Sequence, residues 1–238
     1  WRDMGNPGWG YDDVLPYFKK SECHEDGESE FHGGSGPLMV TRQEGRSIVT
    51  EAFIEAAAKV CDVPVGEDFN GENQEIAAPY QMTCANRKRC STAVAFLHPA
   101  AAKGNVEVET HALVTKIILE KGRATGVAYR DSSGQIQEVY ADAEVILSAG
   151  AIGSPQILML SGIGPAEHLK EKGLDVHLDL PGVGQNLHDH LLAHIRFNTT
   201  KDTGHTSTAG HFFSGMLQDF LFNRGWFGKT FLESGAFV

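Results

Sequence analysis

The sequence predicts an α/β fold, α+β overall, because segments of strand periodicity and segments of helical periodicity share the chain. Three observations carry this. Between residues 105 and 147, β-branched and other apolar residues recur at strand spacing with turn residues between them. Residues 48–60 instead place apolar side chains at helical spacing. The fully apolar run Val145-Ile146-Leu147 then enters a turn of small residues and a helical stretch, in the order strand, turn, helix.

From the start of the chain, Asn6-Pro7-Gly8-Trp9-Gly10 is a turn cluster. Asp12 or Asp13 is placed to cap a short helix carrying Val14, Leu15, Tyr17 and Phe18, since a carboxylate there meets the amides that a first turn leaves unbonded. Residues 21–36 are polar and glycine-rich and read as a loop, and Pro37-Leu38-Met39-Val40 reads as a short strand. In 48–60, Val49, Phe53, Ile54, Ala57 and Val60 predict one face that packs on a sheet, and GEDFNGEN at 66–73 ends the pattern. Residues 91–102 are alanine-rich and predict a helix interrupted at Pro99. Strict alternation over 105–110 predicts a strand. Residues 113–119 and 124–129 predict two more, turned at Lys121-Gly122, and Asp131-Ser132-Ser133-Gly134 turns the chain into 136–140. Val145-Ile146-Leu147 lacks alternation, which predicts a strand covered on both faces, as in a parallel sheet.

Composition bounds the function. A chain of 238 residues can bury a substantial core, and 41% hydrophobic with 21% charged residues is a globular balance. No apolar stretch approaches the roughly 18 residues of a membrane span. The 20 basic residues against 31 acidic give −11, which repels phosphate backbones and anionic membranes, so nucleic-acid binding is set aside. Cys23, Cys61, Cys84 and Cys90 lack C-x-x-C spacing and are expected to be mostly free thiols. Asn198-Thr199-Thr200 fits a glycosylation sequon but is read as a chance match. Trp1 stands first, and Gly235-Ala236-Phe237-Val238 stops on an apolar run, so both ends are expected to be cut.

The chemical signal begins at Ser148-Ala149-Gly150-Ala151-Ile152-Gly153-Ser154-Pro155-Gln156, which leads into Ile157-Leu158-Met159-Leu160. Small residues let a ligand approach the backbone, and amides at a helix N-terminus receive the anionic or polar groups of a dinucleotide. Taken alone, such a turn serves tight packing of strand on helix equally well.

In full, GAIGSPQILMLSGIG resembles the second signature of the glucose-methanol-choline (GMC) oxidoreductases. The likeness runs along essentially the whole chain, through GNPGWGY at 5–11, VLPYF at 14–18, His32-Gly33 to Gly36-Pro37-Leu38, RCSTA at 89–93 and Phe96-Leu97. It continues through LPGVGQNLHDH at 180–190, where His188 replaces the usual glutamine.

The resemblance implies a bound FAD, part of a Rossmann-like FAD-binding domain and part of an antiparallel-sheet substrate domain. On it, residues 1–102 are a lid and substrate-domain segment, 103–190 the central FAD-binding segment and 191–238 the truncated start of the substrate-domain sheet. Carried over by position, Val114 in HALVTKI matches the valine whose backbone contacts the adenine, and Ala149 and Gly150 match the turn beside the cofactor. Ser154, Pro155 and Asn186 join this cofactor-binding set, with strand core or loop hydrogen bonding as the alternative for each side chain. His188 and His190 flank Asp189, but that segment is structural or flavin-proximal in the family, so a solvated or hydrogen-bonding role is expected; no metal site is expected.

The family's G-x-G-x-x-G turn is absent, and HGGSGP at 32–37 precedes a strand and so is no phosphate cradle. The catalytic histidine is expected beyond Val238, leaving no catalytic residue here. The implied reaction is oxidation of a small alcohol at its CH–OH group with hydride passing to flavin N5, followed by reoxidation by oxygen, a quinone or another acceptor. The tone resembles choline and aliphatic-alcohol dehydrogenases. Two alternatives stand beside this. One is a GMC-type lyase or photodecarboxylase, against which Ser148 stands where the decarboxylase has cysteine. The other is a catalytically inactive fragment or a non-flavin binding module. The chain alone is expected neither to hold FAD tightly nor to turn over alcohols, and to be marginally stable because strands from 105 to 147 expose edges.

Overall fold

A computed structural model describes residues 1–43, 45–197, 209–222 and 232–238. They form two compact units, Trp1–Glu107 with Phe197–Val238, and Val108–Arg196.

In the first unit, helix α1 (Tyr11–Ser21) starts at Gly10, whose amide donates to the Asp13 carboxylate at 3.0 Å. Asp13 therefore closes the helix end from inside the first turn, not from the cap position. Strand β1 (Glu22–His24) runs parallel to β2 (Leu38–Arg42), with Cys23 opposite Met39. Between them, a Cβ on Gly33 would overlap the Lys19 carbonyl oxygen, so glycine here serves close chain packing.

Helix α2 (Ile48–Cys61) is capped by Ser47, whose hydroxyl accepts the Thr50 amide at 3.2 Å. Its inward face is offset from the expected one. Thr50 and Ile54 are buried while Val49, Phe53 and Val60 are exposed, a rotation that brings the Thr50 hydroxyl onto the Glu233 carboxylate.

Next come β3 (Ala77–Pro79) and β4 (Gln81–Met82), the latter antiparallel to β2. A hairpin follows, β5 (Cys84–Ala85) with β6 (Lys88–Arg89), turned at Asn86 and Arg87 with φ of 51° and 60°. Two positive φ values at the centre are the turn whose twist matches a hairpin. The alanine-rich stretch forms a π-helical turn, Ala93–Leu97, and then α3 (His98–Ala101), with Pro99 in the first turn of α3, where its missing amide is tolerated.

The second unit opens on the antiparallel meander β7 (Leu113–Glu120), β8 (Arg123–Arg130) and β9 (Ile136–Tyr140). Lys121 and Gly122 turn β7 into β8, both with positive φ. Asp131 organises the next turn, its Oδ1 accepting from the Ser133 amide at 2.9 Å and the Gln135 amide at 3.1 Å. Helix α4 (Gly150–Leu160) packs on β7. Strand β10 (Ile163–Gly164), helix α5 (Ala166–Glu171) and β11 (Leu178–Asp179) follow, β10 and β11 pairing in parallel, and Leu169 of α5 is fully buried.

The chain returns to the first unit with α6 (Ala209–Phe222) and β12 (Ser234–Ala236), which pairs antiparallel with β3. Phe69, Ile76 and Ala78 form a buried cluster against Tyr80, and the Phe69 ring lies 5.1 Å from Phe237. Phe69 is thus a core residue inside a polar loop.

Two expected strands do not form. Residues 105–110 and Val145-Ile146-Leu147 pair with no strand among the described residues. A strand needs a ladder to bury its apolar face, and without one Ile146 stays 78% exposed. All four cysteines are free thiols. Asn198 lies outside the described residues.

Candidate functional site

The six residues carried over by position all lie in the second unit. Val114 sits half-buried on β7 opposite Tyr129, just before a bulge in the ladder. Ala149 precedes α4, and its amide donates to the Ser154 hydroxyl at 3.0 Å, closing the turn into the helix. Gly150 adopts φ 82° with open space where a Cβ would stand. Pro155 is half-buried within α4. Asn186 is exposed, in the left-handed region at φ 54°, and follows the turn in which the Gln185 amide bonds the Gly182 carbonyl at 3.2 Å.

The structure brings Ala149, Gly150 and Ser154 together on one turn. It also ties the Asn186 turn to α4: a Cβ on Gly184 would meet the Met159 methyl at 3.4 Å, and one on Gly164 would meet the Met159 side chain at 2.9 Å. Glycine at both positions lets Met159 lie between the two segments. Val114 is joined less directly, through β7.

Helix α4 has no side-chain N-cap and no acidic residue in its first turn. The first amides of a helix have no partner within it, and they carry the positive end of its dipole. Residues 148–157 contribute no ionisable side chain. The turn therefore presents backbone donors and close access, which fits the polar or anionic groups of a dinucleotide.

Ser161 and Met159 were hidden from sequence reasoning. Ser161 is buried, and its hydroxyl accepts the Ile117 amide at 2.7 Å while donating to the Ile157 carbonyl at 2.6 Å. It stands inside the recognised motif, but its partner on β7 is 44 residues away and leaves no local signal. His188 and His190 are exposed, and the contact found beside them is local, the His190 amide donating to Asp189 at 2.8 Å. Among the described residues no cluster of three or more His, Cys, Asp or Glu side chains is placed to hold a metal ion. No described helix is long and apolar enough to cross a membrane.

Residues 1–192 match the GMC oxidoreductase family. The chain belongs to that family. An oxygen-dependent choline dehydrogenase of Rhizobium meliloti (strain 1021) is 43% identical to this GMC chain, over 100% of the chain and 43% of the relative. The mitochondrial choline dehydrogenase of Homo sapiens is 46% identical over 84% of the chain and 34% of that protein. Among solved structures, an FAD-dependent oxidoreductase from Chaetomium thermophilum superposes with a TM-score of 0.82 at 28% identity, over 96% of this chain and 42% of that one. The GMC chain thus spans less than half the length of the relatives it matches.

Proposed function

We propose that this GMC chain supplies the cofactor-facing turn of an FAD-dependent oxidoreductase that oxidises the CH–OH group of a small alcohol, with choline-like alcohols as the substrate class. The observation that carries the reading is the uncapped N-terminus of α4 behind the open, left-handed Gly150. There Ala149 and Gly150 offer backbone to the cofactor, and Ser154 holds the turn in shape through the Ala149 amide. The Val114 backbone on β7 would meet the adenine, and Asn186 would add a side-chain amide from the 182–186 turn. FAD, when bound, supplies the hydride acceptor. Residues 103–190 form the central FAD-binding segment, and 1–102 with 191–238 belong to the lid and substrate side. The names of the rhizobial relatives favour oxygen as electron acceptor over a quinone or another oxidant.

The test is the visible spectrum of the full-length natural protein containing this chain, purified without added cofactor, before and after anaerobic addition of choline. A flavin spectrum that bleaches with choline supports the reading. Flavin that bleaches only with other alcohols moves the substrate class, and a colourless protein favours an inactive chain or a non-flavin binding module.

A further inference from the structure

We propose that His32 is a proton-operated latch that fastens the 66–73 loop to β1, closed while its ring is an imidazolium and opened when the ring is neutral. The geometry is a bridge. His32 is buried, with Nδ1 at 2.9 Å from Glu22 Oε2 and Nε2 at 2.7 Å from Asp68 Oδ2. Each carboxylate is anchored on its own side. The Glu22 oxygen also accepts the Gly33 amide at 3.0 Å, and Asp68 Oδ1 accepts the Asn70 amide at 2.9 Å.

An imidazolium donates from both nitrogens, whereas a neutral imidazole has one N–H. Deprotonation therefore sets a ring lone pair against one carboxylate. Glu22 keeps its Gly33 amide on the same side of the bridge, so Asp68 is the group released, and with it the loop that buries Phe69 against Ile76, Ala78 and Tyr80.

Glu22 and Asp68 are the carboxylates bonded to the ring, and Asp26 also acts on it through charge. His24 on β1 stacks on His32 with ring centroids 4.3 Å apart. Its Nδ1 lies 3.3 Å from the Asp26 amide, and its Nε2 is buried with no hydrogen-bond partner. Asp26 and Glu25 are both held by Arg42 on β2. Lys19 on α1 is turned to the Ser29 carbonyl at 2.6 Å and to Glu28. Burial opposes the charged ring, but the hydrogen bonds to Asp68 and Glu22 outweigh it and hold His32 above the ordinary histidine value. A raised value in the fold means that the bridge contributes stability fully below the unfolded value and loses it as pH rises through the folded one.

The test is amide hydrogen exchange of the full chain, read on peptides over 66–73, corrected for intrinsic rate and referenced to the 113–130 hairpin. In the wild type, protection of the loop relative to the hairpin falls by about fivefold or more between about pH 6 and about pH 9, as expected for loss of one charge-assisted hydrogen bond. Asp68→Asn removes the charge, and its amide can meet either state of the ring, so the loop's protection is flat with pH. Wild-type loop exchange that tracks the hairpin at every pH, or an Asp68→Asn chain that shows the wild-type fall, overturns the proposal. Should the variant fail to fold, histidine-ring NMR of the wild type decides: His32 titrates in step with loop opening, and opening at a pH where it does not titrate overturns the latch.

Discussion

The Ser161 hydroxyl accepts the buried Ile117 amide at 2.7 Å and so fastens the C-terminal end of α4 to β7, the strand that carries Val114. The turn at the head of α4 and the strand of Val114 hold their relative places through this bond and the packing around it. Removing the hydroxyl leaves a buried amide unbonded. Ser161→Ala is expected to lower stability by about 1–3 kcal/mol. The readout is a lower urea midpoint at unchanged slope, with faster exchange of the Ile117 amide. An unchanged midpoint would mean that the amide finds another partner.

Glu233 performs a comparable task in the first unit. Its carboxylate accepts from Gln43 Nε2 at 3.3 Å, the Ser47 amide at 2.9 Å and the Thr50 hydroxyl, at the N-terminus of α2 where a negative charge is favoured. Glu233→Ala is expected to destabilise by about 2 kcal/mol, and Glu233→Gln by roughly half as much because one acceptor oxygen remains. Urea denaturation of both variants checks this, and a larger loss for Glu233→Gln than for Glu233→Ala would contradict it.

The β8–β9 turn is expected to be acid-sensitive. Hydrogen bonds from the Ser133 hydroxyl and the Gln137 side-chain amide, with the Gln135 and Ser133 amides, pull Asp131 down to about 2 from its ordinary 3.8. A depressed value means that the turn's contribution is present above 3.8 and is lost as pH falls through about 2. NMR of the Ser133 and Gln135 amides between about pH 5 and about pH 2 is expected to show their protection falling together, with Asp131→Asn removing the pH dependence. Protection that stays constant across that range would refute the assignment.

Much of the frame was legible because its signals are local. The Lys121-Gly122 turn, the β-branched runs on either side of it and the helical spacing of 48–60 are written in adjacent residues and reappear as β7, β8 and α2. The inward face of α2 was not legible, because Thr50 turns toward an acid 183 residues away. Val145-Ile146-Leu147 was read for its apolar content, but a strand also needs a ladder, and among the described residues it has none. In the candidate site, the small residues from Ala149 to Ser154 marked the turn from sequence. Ser161 and Met159 did not stand out, since what they do depends on Ile117, Gly164 and Gly184 coming together in space.

Gly150 and Asn186 share left-handed backbone, at φ 82° and 54°, yet their replacement asks different questions. Gly150→Ala adds a methyl into open space, so its effect comes from backbone strain of about 1–2 kcal/mol at the position proposed to meet the cofactor. Asn186→Gly removes a side chain while leaving the left-handed conformation easier to adopt, so the fold is expected to keep its melting temperature. If the Asn186 amide serves FAD, the full-length Asn186→Gly protein binds FAD about three- to tenfold more weakly, the loss of one hydrogen bond, measured by titrating FAD into apoprotein. Equal affinity at equal stability would leave Asn186 as a turn residue alone and shift the cofactor contact to the backbone of Ala149 and Gly150.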